Sequence, residues 1–230
     1  MDESGNNNPD NLLMVGAVEV LGDADALERG IVDLWQDLSS RRSLRGPRGF
    51  EKFHATGFHA TDDPIEVRNE FLNHLHDVPF RAYLYMTDRS SDHAGATETA
   101  KIGYLYESLL ADLLLRFNSE DTLDCAIEEN EALRKVFAIV SESARLRAMQ
   151  KSGQQRVLPE MDVHIVKKTE RMSIAIIDYV MIAVQRWACS GYSTNGADWQ
   201  LRAFRDVEAS ISILYSLETG VVSSRKTPLH

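Results

Sequence analysis

The sequence predicts an α/β fold, a mixed sheet flanked by helices, with an α+β sandwich built on one sheet as the alternative. Two observations carry that prediction. Short runs of β-forming residues, at Leu12–Val20, Phe80–Met86, Thr122–Ile127 and Asp162–Val166, alternate with longer stretches whose apolar residues recur at helical spacing. At 230 residues, 43% of them hydrophobic, the chain can bury a full core as one large domain, with two small ones as the alternative. The expected organisation is a single domain over residues 1–220 and a flexible tail over 221–230.

Each element has a local reason. Residues 1–11 are acidic and then Asn-rich, the composition of a disordered end. Leu12–Val20 lies between Asn11 and Gly22 and suits a buried strand. A helix follows from Asp25 to Ser40, capped by Asp23 or Asp25, with Leu27, Ile31, Leu34, Trp35 and Leu38 in one stripe. Residues 41–61 are expected to be a loop, and they carry a tandem duplication: Phe53-His54-Ala55-Thr56-Gly57, then Phe58-His59-Ala60-Thr61-Asp62. Asp62 or Asp63 can cap the next helix, Pro64 suits its first turn, and Ile65, Phe71, Leu72 and Leu75 should be its buried face to His76.

Phe80–Met86 alternates, with Phe80, Ala82, Leu84 and Met86 on one face and Arg81, Tyr83 and Tyr85 on the other. After a polar loop at 88–97, Glu98–Phe117 reads as a strong helix. Thr122–Ile127 is a strand ending at Glu128-Glu129, and a helix is expected from Ala132 to Gln150. Beyond the strand at Asp162–Val166 come a helix over Glu170–Cys189, a Gly-containing loop at 191–197, and a last helix expected over Trp199–Leu217.

Charge and motifs exclude several function classes. A net charge of −10 argues against general coating of nucleic acid and against an anionic membrane surface as a partner. The acidity is uneven: Arg41, Arg42, Arg45, Arg48 and Lys52 fall within 12 residues opposed only by Glu51. Cys125 and Cys189 form no framework, and the N-terminus has no basic region followed by an apolar one, so a cytoplasmic location is expected. No phosphate-binding Gly-rich loop, Gly-x-Ser-x-Gly elbow or His-Glu-x-x-His pair occurs.

One stretch poses an electrostatic question. In Met172–Val184 the only charge is Asp178, set among Ile174, Ala175, Met181 and Ile182 at helical spacing. These 13 residues are too few for a membrane span of about 20 and suit a buried core helix, so no membrane partner is expected. A carboxylate there needs a cation, a hydrogen-bond network or a raised pKa. The bland partner is an arginine such as Arg68; the functional one is a metal.

Four pieces in order give the chain a family likeness: Asp2-Glu3-Ser4-Gly5; Phe58-His59-Ala60-Thr61 running on to Val67-Arg68; a strand ending Ile127-Glu128; and a late helix with Ala175-Ile176-Ile177-Asp178-Tyr179. On these the chain resembles the bacterial domain of unknown function 3800 family, which is regarded as ribonuclease H-like. Ala175 stands where that family has Gln. Only Met1 precedes Asp2, so the first strand is expected to be truncated or to begin upstream.

The resemblance implies a divalent-metal-dependent nuclease or phosphodiesterase acting on nucleic acid. Such enzymes hold two metals, Mg2+ or Mn2+, on carboxylates from a central strand, another strand end and a late helix. Carried over residue by residue, Asp2, Glu128 and Asp178 become metal ligands and Glu3 joins the catalytic acids. His59 becomes a proton relay or phosphate contact, and Arg68 pairs with phosphate or with an acid of the site. The basic stretch at Arg41, Arg42, Arg45 and Arg48 is where a nucleic-acid backbone would land. The rival expectation is a non-catalytic, nucleic-acid- or protein-binding regulatory subunit with a degraded site, motivated by Ala175 and the short first strand. Unpaired sheet edges would then invite a homodimer or a partner subunit.

Overall fold

Side-chain capping and glycine geometry set several helix boundaries in this computed structural model, which describes residues 1–5, 11–90, 97–130, 134, 137–153 and 157–228. The Asn-rich stretch at 6–10, most of the polar loop at 88–97 and the expected helix start at Ala132 lie outside the described residues. Asp23 starts α1 (Ala24–Ser40) by accepting hydrogen bonds from the N–H groups of Asp25 and Ala26. The expected loop at 41–61 is instead broken by a 3-10 turn at Arg42–Leu44 and by α2 (Phe50–Thr56).

That helix changes the meaning of the duplication. Gly49 and Gly57 bracket α2, both at positive φ, 95° and 83°. The first Phe-His-Ala-Thr copy is helical and ends at Gly57, while the second runs through the following loop. Next comes α3 (Ile65–His76), which has no side-chain cap, because Asp63 is engaged elsewhere. It buries Val67, Phe71 and Leu75, whereas Ile65, expected inside, is 56% exposed on the first turn.

The strands form a mixed arrangement. β1 (Asp2–Ser4) runs antiparallel to β2 (Leu13–Val20), pairing Asp2 with Gly16 and Ser4 with Met14. β3 (Phe80–Thr87) follows; it is buried on both faces at Tyr83 through Met86, so its alternation does not separate core from solvent. β4 (Thr122–Glu128) and β5 (Glu160–Val166) are parallel, from Thr122 opposite Glu160 to Glu128 opposite Val166. The expected last helix stops early: α7 (Trp199–Glu208) gives way to β6 (Ile211–Ser216), which pairs antiparallel with β7 (Gly220–Ser224). The physical reason lies in Ile211-Ser-Ile-Leu-Tyr-Ser216, a period-two run of β-formers that helix propensity cannot hold. The expected flexible tail at 221–230 is therefore partly strand. One sheet has the order β1-β2-β3-β6-β7, and β4 and β5 form a second ladder.

The remaining helices are α4 (Glu98–Arg116), α5 (Phe137–Lys151) and α6 (Ala175–Cys189), the last preceded by a 3-10 turn at Met172–Ile174. Contacts divide the chain into two compact units where a single domain was expected: Met1–Ala17, Tyr83–Val166 and Ser212–His230 in the first, Val18–Ala82 and Lys167–Ile211 in the second. In the first unit Leu105, Tyr106, Leu109, Leu110 and Leu114 of α4 pack with Val140, Ala144 and Ala148 of α5 and with Leu13, Val15 and Ile127 of the strands. In the second, an aromatic chain runs Phe53–Phe58–Phe71–Tyr179 with ring centroids 5.2, 4.4 and 4.3 Å apart. Met172–Cys189 is long and apolar enough to cross a membrane by length and composition, yet 72% of it is buried within the protein, the pattern of a core helix.

Gly49 offers a test of this framework. A Cβ there would sit 2.2 Å from the Asp62 carbonyl oxygen, on a residue already left-handed. Gly49→Ala is expected to cost at least about 1–2 kcal/mol from conformation alone, read as a lower urea midpoint at unchanged slope.

Candidate functional site

In the first unit the acidic candidates meet through backbone pairing. The Met1 amine donates to the Ala126 carbonyl at 2.6 Å, and the Met1 carbonyl accepts from the Glu128 N–H at 3.0 Å. Because residues 2–4 pair with β2, this ladder places β1 between β2 and β4 and sets Asp2-Glu3 beside Glu128, the last residue of β4. Asp2 is buried, 7% exposed, and one of its oxygens accepts from the Glu3 N–H at 2.8 Å. The Glu3 carboxylate accepts from the Tyr106 hydroxyl at 3.0 Å and from the Asn130 amide.

These acids share one electrostatic neighbourhood. Burial pushes the Tyr106 hydroxyl well above its ordinary range, and Glu3, Asp2 and Glu128 push it further. Tyr106 therefore stays protonated and donates. Burial also lowers the Met1 amine, against the upward pull of Asp2, Cys125, Glu128 and Glu3.

In the second unit the late helix supplies Asp178, and its start is held from a distance. Glu28 of α1 accepts from the N–H groups of Met172 and Ser173 at 2.6 and 3.0 Å, satisfying donors that the helix end leaves open. Asp178 is 14% exposed, and one of its oxygens takes the Ala60 N–H at 3.1 Å and the Lys168 ammonium at 3.2 Å. Lys168 is only 6% exposed, and its Nζ also lies 3.2 Å from His59 Nδ1. The cation expected beside Asp178 is thus Lys168 where Arg68 was the anticipated partner. Arg68 stands near enough to Tyr179 and Arg186 to shift both.

Asp63 organises the loop that carries His59. It accepts from the His59 backbone N–H at 2.8 Å and from the Tyr179 hydroxyl at 2.6 Å, while its other oxygen is buried with no hydrogen-bond partner. Burial raises its pKa to about 6, against those two bonds and with Asp178 adding to the rise. Neither Asp63 nor Lys168 was singled out from the sequence. Asp63 looked like a helix cap, and Lys168 sits in Lys167-Lys168-Thr169-Glu170-Arg171, a charged run that reads as solvated. Nothing in its spacing to Asp178, across a turn, marks it as a partner.

The basic stretch divides. Arg41 is committed to Asp37 at 2.7 Å and Glu70 at 3.0 Å, while Arg42, Arg45 and Arg48 are exposed with no ion-pair partner among the described residues. Among the described residues no three His, Cys, Asp or Glu side chains are arranged to hold a metal ion. The donors at Asp2, Glu3 and Glu128 are carboxylate oxygens, the kind that Mg2+ and Mn2+ take. Comparison with protein-family models, with curated proteins and with solved structures finds no match in any of the three.

Two outcomes follow from the second unit. Removing one partner of a buried ion pair leaves the other charge uncompensated, so Lys168→Met should destabilise by about 3–5 kcal/mol, with Asp178→Asn added to it recovering part of the loss; urea titration of the single and double variants measures this. For Asp63 the folded pKa, about 6, lies above the ordinary value of 3.8. The folded state therefore binds the proton more tightly. Its stabilising contribution is complete below the ordinary value and is lost as pH rises through the folded one, on the order of 2–3 kcal/mol. Between pH 7.5 and 4.5 the wild type is expected to gain stability relative to Asp63→Asn, which cannot titrate; melting curves across that range check it.

Proposed function

We propose that the chain is a nucleic-acid phosphodiesterase of ribonuclease H-like type, working through acids at strand ends. The observation that carries this reading is the Met1 ladder, which makes Asp2-Glu3 part of a strand flanked on both sides and brings Glu128 alongside. A carboxylate-bearing central strand with a second acid at a neighbouring strand end is what the likeness to the domain of unknown function 3800 family implies. Of the metal ligands that the likeness implies, Asp2 and Glu128 lie on adjacent strands and Asp178 is taken up by Lys168; a bound Mg2+ or Mn2+ would supply polarisation of the phosphate and a nucleophilic water at neutral pH.

The chain's own residues do the rest. Tyr106 and Asn130 fix the Glu3 carboxylate by donating to it, so it presents oxygen lone pairs in a set direction. Arg42, Arg45 and Arg48 offer the exposed positive charge on which a nucleic-acid backbone can settle.

A second reading is favoured by a specific observation. At Asp178 the acid already has an ammonium and a backbone N–H on one oxygen, and Ala175 stands one helical turn before it where the family has Gln. A non-catalytic subunit that binds nucleic acid or a protein partner would keep such a pair purely for stability.

Cleavage of a labelled oligonucleotide with Mg2+ or Mn2+, and its loss in Glu128→Gln, is the expected result. Cleavage surviving in both Glu128→Gln and Asp178→Asn, with folding intact, would sink the enzyme assignment for these acids. Millimolar Mg2+ should also raise the melting temperature of the wild type and not of Glu128→Gln, since a ligand of the native state stabilises it. Absence of both responses, with stable capture of an oligonucleotide, selects the binding subunit.

A further inference from the structure

Among the described residues β5 pairs only with β4, which makes it an edge strand. The Glu160 N–H donates to the Asp121 carbonyl, and the Val166 carbonyl accepts from the Glu129 N–H. In a parallel ladder this turns the backbone groups of the even-numbered residues of β5 towards β4. The N–H and C=O groups of Met161, Val163 and Ile165 therefore point out of the sheet, with no hydrogen-bond partner among the described residues.

An open edge is normally blunted by proline, lysine, a bulge or a covering segment. β7, at the end of the five-stranded sheet, has two of these devices. Its register with β6 shifts between Leu214 and Tyr215, and Thr227 folds back to pair with Ser224. β5 has none of them: Glu160-Met-Asp-Val-His-Ile-Val166 holds no proline or lysine, and its register with β4 is unbroken. The helix before it also carries uncovered apolar surface. Ile139, Leu146 and Met149 of α5, 67, 54 and 37% exposed, lie on the side of that helix away from Val140, Ala144 and Ala148. Val157, just ahead of β5, is 87% exposed.

The strand is complementary to itself. Laid antiparallel against a second copy about Val163, the outward residues exchange backbone bonds, Val163 with Val163 of the copy and Met161 with Ile165. Those same pairs set apolar side chains opposite one another on the face that packs against the core. On the exposed face Asp162 comes opposite His164 of the copy, and Glu160 opposite Val166, so no two carboxylates meet directly. A slip of two residues either sets Asp162 against Asp162 or carries Met161 past the end of the strand. The two copies of α5 then share one face of the joined sheet, where their exposed apolar residues can be covered.

We propose that β5 is a homodimer interface, two copies of this chain joining edge to edge through antiparallel β5 strands centred on Val163. The inference is independent of the acids at the strand ends and needs neither metal nor cleavage.

Sedimentation velocity of the full chain over a concentration series, with amide hydrogen exchange at its two ends, tests it. Monomer should convert to dimer as concentration rises, and the amides of Met161, Val163 and Ile165 should become protected with it. Val163→Pro removes an outward N–H and leaves the bonds to β4 in place; it should weaken dimerisation at least about tenfold while circular dichroism confirms folding. Asp162→Lys changes an exposed position and should weaken the dimer about tenfold, because the two-fold counts its pair twice; adding His164→Glu should restore it. The proposal is overturned if the wild type stays monomeric up to about 1 mM, which leaves the edge to a strand of another protein. It is equally overturned if a dimer forms with those three amides still open to exchange, or if either single variant, folded, dimerises like the wild type. Failure of His164→Glu to restore the dimer overturns the register centred on Val163.

Discussion

A carboxylate on a helix as apolar as α6 cannot be left to itself, and the second unit is arranged around supplying Asp178 with a partner. Lys168 brings the positive charge, Ala60 a backbone N–H, and Glu28 anchors the turn that begins the helix. The loop bearing Ala60 is in turn held by Asp63, and Asp63 by Tyr179, the residue after Asp178. The contacts close a ring: helix to lysine to histidine loop to buried acid and back to the helix. Breaking it anywhere exposes a charge to an apolar interior, so the segments that contribute to it are held as one cooperative network.

The first unit solves a related problem differently. Hydrogen-bond donors surround its acids, Tyr106 and Asn130 on Glu3 and a backbone N–H on Asp2. Donors of that kind orient a carboxylate without neutralising it. At Asp178, by contrast, the protein provides a cation, Lys168.

Much of this architecture was legible in the amino-acid order. The strands at β2, β4 and β5 and helices α1 and α4 stand where the pattern put them, β2 as an unbroken apolar run, β4 and β5 as short runs with β-formers, and α1 and α4 through apolar residues at helical spacing. The departures have physical causes. α2 was hidden because its seven residues are too short to show a period, and its ends are set by two glycines rather than by polar caps. β6 was absorbed into a helix because Ile211, Leu214 and Tyr215 sit at helical spacing, while Ile211, Ile213 and Tyr215 alternate as a strand does, and the hairpin with β7 selects the second. Of the candidate site, Asp178 was readable as a charge in an unlikely place, while Asp2, Glu3 and Glu128 entered through the family likeness; the partners of Asp178 were not readable. Lys168 and Asp63 look like ordinary surface residues until the chain folds, since their significance depends on burial and not on local pattern.

The repeated Phe-His-Ala-Thr carries one more consequence. Two copies of the same four residues, five positions apart, give the folding chain two ways to thread this part of the second unit, one copy out of step. His54 and His59 are chemically identical, so neither ring can tell Lys168 which copy has arrived. The discriminator lies four residues downstream: His59 is followed there by Asp63, which takes its N–H, whereas His54 is followed there by Phe58. Asp63 thus acts as a reading-frame mark for the fold, and a slip of one copy would press a phenyl ring where an acceptor is needed. A buried carboxylate held at an unfavourable pKa is the means by which the chain distinguishes two indistinguishable words.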